Sequence, residues 1–298
     1  MESDFSGIGG SRSRESVAVL GGGKMGTLIA NALIKRGGYA AENVIITVKH
    51  EKSLARVAQA TSASVMTNNI EATSKAGVVL LCVKPQQAIS LLEEIRPALK
   101  PGAIVISIIT ALPLEAIEEC LGDGIRVVRA MPNTACRVAM GMTALCRGSY
   151  ADDDCVGSVA SMFELMGRTV EIDEQWMDSV TALSASSPAF IYIILEALAE
   201  GGVRVGLPRE LATLLAGQAT LGAAAMLLDG SQHPALLKSE VTTPGGCTID
   251  GILELEEGGI RATLIRAIST TADKARKMST TSTPLHKPAS SSSRAPRP

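Results

Sequence analysis

The sequence predicts an α/β protein in two parts: a doubly wound parallel sheet in the first half, then an all-α region in the second. Three observations carry that prediction. Short apolar runs, several of them β-branched, alternate with helical stretches up to about residue 172. From Asp173 onward the pattern is almost wholly helical. The segment Leu211 to Leu228 holds no charged residue, so it lacks the polar face that a surface helix presents to water.

The strands follow in order. Val17 to Leu20 is a compact apolar run followed at once by glycines. Val44 to Val48, Val78 to Val83 and Ala103 to Ile109 are further apolar runs, and Val127 to Ala130, Met142 to Cys146 and Thr169 to Ile172 are weaker ones. Unbroken apolar strands separated by helices indicate a parallel sheet covered on both faces. Helices are then expected over Met177 to Ser184, Pro188 to Val205, Arg209 to Leu228 and Ile249 to Met278. Leu211 to Leu228 is long enough to span a bilayer. It is crowded with Ala and Gly, carries Gln218 and has no aromatic belt, so burial between subunits is the better reading.

Composition narrows the functions. The chain has 298 residues, enough for two domains, with 46% hydrophobic residues and a net charge of -2. Aromatics make up 2%, too few for a base-stacking platform, and the charge gives no reason to expect nucleic acid. The six cysteines form no C-x-x-C pair, and with three histidines they give no metal-ligand spacing. Reduced thiols and the lack of an apolar leader suggest a cytoplasmic location. Residues 1–16 and 279–298 read as tails flanking domains at 17–173 and 174–278.

The first strand runs into Gly21-Gly22-Gly23-Lys24-Met25-Gly26, the G-x-G-x-x-G pattern at the head of a helix. Gly21 permits the tight turn, Gly23 lets backbone approach a pyrophosphate, and Gly26 lets helix and strand pack closely. This is the context of a Rossmann-type dinucleotide site. The second strand is followed by Lys49-His50-Glu51-Lys52 in place of the acid that would bind an NAD ribose. NADPH is therefore expected, with NADH the alternative. Val83, Lys84 and Pro85 end the third strand, where Lys84 would approach phosphate or ribose, or remain a surface lysine before a loop proline.

In the second half, Thr242-Thr243-Pro244-Gly245-Gly246-Cys247-Thr248 sits between two helices. Pro followed by two glycines frees backbone amides, and a helix start preceded by glycines suits a carboxylate. An ordinary Thr-capped helix start would look similar.

This segment resembles the signature of pyrroline-5-carboxylate reductases. Val83-Lys84-Pro85-Gln86, Arg129-Ala130-Met131-Pro132-Asn133-Thr134, Gly206-Leu207-Pro208-Arg209, His233-Pro234 and Leu255-Glu256-Glu257-Gly258-Gly259 are similar to that family in the same order. The resemblance runs from about Val17 to Met278. It implies reduction of L-1-pyrroline-5-carboxylate to L-proline, the last step of proline biosynthesis, with a Rossmann domain followed by a helical dimerisation domain. It also implies an active site shared within a homodimer, with five dimers able to form a decamer. Asn69 would lie against the adenine-side ribose. The amides of Gly246, Cys247 and Thr248, helped by Thr243, would hold the substrate carboxylate. The Thr248 hydroxyl would bond the ring nitrogen.

The chain departs from the family pattern in three places. Ala185, Ser187 and Ala111 stand where the family usually has glycine. If any of these backbones needs a positive φ, the side chain costs about 1 kcal/mol or more. Two rival readings are a non-catalytic NADP-binding oligomer and a reductase of a different cyclic imine. A β-hydroxyacid dehydrogenase would need a helical lysine around Gly217-Gln218, where there is none.

Overall fold

The computed structural model describes residues 16–230 and 232–282, so most of both expected tails lies outside it. Eight strands form one sheet in the order β3-β2-β1-β4-β5-β6-β7-β8. They are β1 (Val17–Leu20), β2 (Val44–Thr47), β3 (Ser64–Met66), β4 (Val78–Leu81), β5 (Ile104–Ser107), β6 (Arg126–Met131), β7 (Gly141–Arg147) and β8 (Gly167–Glu171). The short β3 is an edge strand that the sequence pattern does not reveal.

Helices α1 (Lys24–Lys35) and α6 (Asp153–Glu164) cover one face, and α4 (Ala88–Ile95) and α5 (Leu114–Leu121) the other. Successive strand residues point to opposite faces. Val17 and Val19 accordingly pack with Ile29 and Leu33, whereas Ala18 and Leu20 pack with Leu91, Leu92 and Ile95. Both faces being apolar is why these strands read as continuous hydrophobic runs.

The sheet is not wholly parallel. β7 runs antiparallel to β6, and β8 runs parallel to β7. Residues 132–140 between β6 and β7 are fewer than the roughly dozen a parallel crossover needs, so the chain must turn back. It does so through a 3-10 turn, Thr134–Val138, closed by Ala139 at φ 57°.

The remaining helices of the first half are α2 (Leu54–Ala60) and α3 (Asn69–Lys75). The second half contains α7 (Met177–Val180), a π-helix (Thr181–Ser186), α8 (Ser187–Arg204), α9 (Arg209–Leu228), α10 (Pro234–Val241), α11 (Cys247–Glu257) and α12 (Ile260–Ser282). The expected single helix Ile249 to Met278 is broken at Gly258-Gly259, because Gly259 takes φ 67° and ends α11. The last helix continues to Ser282, past the expected boundary at Met278; the Ser279 hydroxyl bonds Asp178 at 3.0 Å.

α8 packs on α9, yet α8 buries only Ala199 and α9 only Ala212. Leu214, Leu215, Ile193 and Leu228 stay exposed. Covering each such side chain is worth about 1.5–3 kcal/mol, so this surface is built to be covered.

Of the replaced glycines, only Ala111 adopts a positive φ, 63°. Ser187 has φ -60°, and Ala185 lies in the π-helix without positive φ. Holding an L-residue left-handed costs about 1–2 kcal/mol. Glycine would relieve that, offset by about 0.4–1 kcal/mol from its freer unfolded chain. At Ala111, which is 1% exposed, it also loses a buried methyl worth about 0.8 kcal/mol. We therefore expect Ala139→Gly, at an exposed site, to raise stability by about 0.5–1 kcal/mol and Ala111→Gly to be near neutral. Denaturant unfolding at fixed protein concentration checks both, and a destabilised Ala139→Gly would contradict the strain argument.

Candidate functional site

The carboxyl ends of β1, β2 and β4 converge on one edge of the sheet. The Gly21 and Gly22 amides donate to the Thr47 carbonyl at 3.2 and 2.7 Å, binding the glycine turn to the end of β2. Gly21 has φ 120°, and a Cβ there would lie 2.6 Å from the Cys82 carbonyl oxygen. A Cβ on Gly26 would overlap the Gly21 carbonyl, so α1 meets the turn only through glycine. Gly23, by contrast, faces open space. It is the N-cap of α1, with no side-chain cap and no acid in the first turn. The free amides and dipole of this helix end therefore meet whatever anion enters.

A cleft of about 600 Å³ opens beside the turn. Gly21, Gly23, Lys49, Asn69, Val83 and Lys84 all line it. Lys24 and Met25 line an adjoining groove of about 800 Å³ that shares Gly23 with the cleft. Pro85 lines neither and starts the 3-10 turn Pro85–Gln87, while Gly26 is buried beneath the glycine turn. The Asn69 amide donates to both Glu94 oxygens at 3.3 and 3.2 Å. Burial pushes the Cys82 thiol above its ordinary range.

Arg56 is the residue sequence reading missed. It lines both cavities from the first turns of α2, where it joins Lys49, His50 and Ser53 around the end of β2. A signal existed: Arg56 follows Lys49 closely enough for one tight loop to return it to the same edge. Lys52, counted with the basic turn, does not line the cleft. The cradle at the glycines, which a Cβ would fill, and the cations at the end of β2 together fit a dinucleotide with an extra phosphate.

The second-half loop folds as its residues dictate. The Gly246 amide donates to the Thr243 carbonyl at 3.0 Å, closing a turn with Pro244 second and Gly245, at φ 68°, third. That is the chemistry of a type II turn. It occupies the Gly246 N–H, which the expected carboxylate cradle had included. Cys247 and Thr248 instead open α11, where first-turn amides have no partner within the helix. Within one protomer none of Thr243, Gly246, Cys247 or Thr248 lines the cleft. The two halves of the expected site are therefore not brought together by a single copy.

Comparison with known proteins accounts for both halves. Residues 174–278 match the family described as pyrroline-5-carboxylate reductase dimerisation, and residues 16–111 match NADP oxidoreductase coenzyme F420-dependent. The pyrroline-5-carboxylate reductase of Arabidopsis thaliana is 36% identical over 88% of this chain and 95% of its own length. That of Methanosarcina acetivorans is 36% identical over 89% of this chain and 98% of its own. The crystal structure of Plasmodium falciparum pyrroline carboxylate reductase with NADP bound superposes with a TM-score of 0.82. It is 29% identical and covers 90% of this chain and 99% of that one. Likeness of that extent, over nearly the whole length of the relatives, means that this chain belongs to the pyrroline-5-carboxylate reductase family.

Proposed function

We propose that the protein is an oxidoreductase that reduces L-1-pyrroline-5-carboxylate to L-proline with NADPH, completing proline biosynthesis. The observation that carries this reading is a chain with two helix starts capped by glycine and by no side chain, one suited to a dinucleotide and one to a small carboxylate. It is supported by near-full-length relatives that carry this activity in their names.

When bound, NADPH supplies a hydride from nicotinamide C4. The chain's residues do the rest. The Gly21–Gly23 turn and the first amides of α1 hold the pyrophosphate. Lys49, Ser53 and Arg56 hold the 2′-phosphate, Asn69 the adenine-side ribose, and Val83-Lys84-Pro85 the next stretch of cofactor. The Cys247 and Thr248 amides and the Thr243 hydroxyl hold the substrate carboxylate, and the Thr248 hydroxyl accepts a hydrogen bond from the protonated ring nitrogen. The imine protonates in water, and the resulting iminium would accept the cofactor's hydride at its carbon, with the C=N electron pair passing to nitrogen. No strong acid is needed in the site, so acceleration comes from alignment and the exclusion of water.

The enzyme works as a homo-oligomer, and its exposed α8 and α9 faces are the surface a second copy covers. A loop that misses its own protomer's cleft is supplied to a neighbour's, so the active unit is the dimer, and five dimers give a decamer. Light scattering should find the dimer or its multiples without detergent; a stable active monomer would contradict the shared site. With neither bilayer nor nucleic acid as partner, and six unpaired thiols, the enzyme belongs in the reducing cytoplasm.

The assay is NADPH oxidation with pyrroline-5-carboxylate. Thr248→Ala should lower kcat/KM at least about tenfold, a loss of about 1.4 kcal/mol, with NADPH affinity intact. Tight NADPH binding with no turnover in the wild type would instead favour a sensor or another imine. Arg56→Ala should weaken NADPH about tenfold and leave NADH little changed, since only the former carries the phosphate that a guanidinium clasps. Equal loss for both cofactors would remove Arg56 from the phosphate site.

A further inference from the structure

Pro188 creates a local problem for the backbone. It has no N–H, and a helical carbonyl bonds the N–H four residues on in an α-helix or five on in a π-helix. Ser184 therefore has no α-helical donor, and Leu183 has no π-helical donor. Both carbonyls lie in the π-helix Thr181–Ser186, which passes directly into α8.

Two side chains donate to these same carbonyls. The Ser187 hydroxyl donates to the Leu183 carbonyl at 2.5 Å. The Asn133 amide donates to the Ser184 carbonyl at 3.2 Å across 51 residues of sequence. Asn133 belongs to the sheet-bearing half, where it caps the 3-10 turn after β6. Its carbonyl oxygen accepts from the Ala135 amide at 3.2 Å and the Met142 amide at 3.4 Å. With the oxygen held by two N–H groups, the NH2 must face the helical half.

The clasp sits beside the dinucleotide turn. Thr134, the next residue, lines the groove that Gly23, Lys24 and Met25 also line. Ser187 is also where the chain departs from the family's usual glycine, so one half of the clasp is this chain's own.

We propose that Asn133 and Ser187 are positioning residues for the hydride transfer assigned above, and this inference rests on that assignment. Asn133 pins the π-helix to the β6–β7 loop and Ser187 braces the same stretch from within, which fixes how the helical half approaches the cofactor groove. They touch neither substrate nor cofactor. Their effect is on the alignment of donor and acceptor, where a displacement of about 1 Å can cost up to about a hundredfold in rate.

The test uses the full chain and four variants. Asn133→Asp keeps the oxygen acceptor and removes the donor. It should lower kcat about tenfold or more while the Kd for NADPH and the KM for pyrroline-5-carboxylate stay within about threefold. Pro188→Ala returns an N–H to the helix but leaves the loop unpinned, so combined with Asn133→Asp it should recover little of that kcat. Ser187→Gly should lower kcat, and Ser187→Thr, which keeps the hydroxyl, should retain it. Hydrogen exchange at residues 183–190 should quicken in Asn133→Asp and Ser187→Gly. An unchanged kcat in Asn133→Asp, or parallel loss of NADPH affinity and melting temperature, overturns the proposal. If the wild type proves inert, the proline assignment fails, and unchanged exchange in Asn133→Asp then overturns the clasp as well.

Discussion

Parallel pairing of β1 with β2 and β4 is the constraint on which the site depends. Parallel strands deliver all their carboxyl ends to one edge, so three loops distant in sequence meet there without any long-range signal of their own. Gly21 follows β1, Lys49 follows β2 and Val83 follows β4, and all three line one cleft. Had β2 run the other way, Lys49 would lie at the far end of a four-residue strand, about 13 Å away. The same arrangement aims the start of α1 at that edge, which turns a helix dipole into a phosphate site.

The helical half obeys a different constraint. Its helices are apolar on faces that one protomer cannot cover, and two segments, Glu174–Arg204 and Arg209–Leu228, are long and apolar enough to cross a bilayer by composition. Both lie within residues 174–278, which match the dimerisation family. A stretch rich in Ala and Gly suits close helix–helix contact better than lipid, because small side chains let backbones approach and Gln218 can be paired. Burying several leucines at about 1.5–3 kcal/mol each readily offsets the cost of ordering two chains. Residues 174–278 match that dimerisation family, and within one protomer the Thr243–Thr248 loop does not line the cleft.

Much of this was legible in the sequence, and the reasons are specific. Six of the eight strands announced themselves as apolar runs because burial on both faces allows no polar alternation, and the largely exposed β8 was legible only as the weaker run Thr169 to Ile172. The glycine turn was legible because each glycine answers a steric demand, as the Cys82 carbonyl beside Gly21 shows. The reversal at β7 was not, since direction depends on the length of a connector whose helical turn and left-handed Ala139 carry no strong signal. Arg56 was missed because α2 is short and its arginine resembled any solvated charge. The Gly246 amide was assigned to a ligand because a sequence shows donors but not which of them a turn already occupies.

The departures from the family pattern separate into two kinds of cost. Ala111 keeps the left-handed backbone that glycine would accept freely and holds it by packing, at 1% exposure, against the strain. Ser187 carries no such strain, since its φ of -60° suits any residue. A side chain there gains a hydroxyl that donates to the Leu183 carbonyl next to Pro188. The same substitution type, glycine to a residue with a Cβ, is thus a burden at one site and an added hydrogen bond at the other. What decides between them is the backbone angle together with the partner within reach, which is why loss of the glycines does not by itself argue for loss of activity.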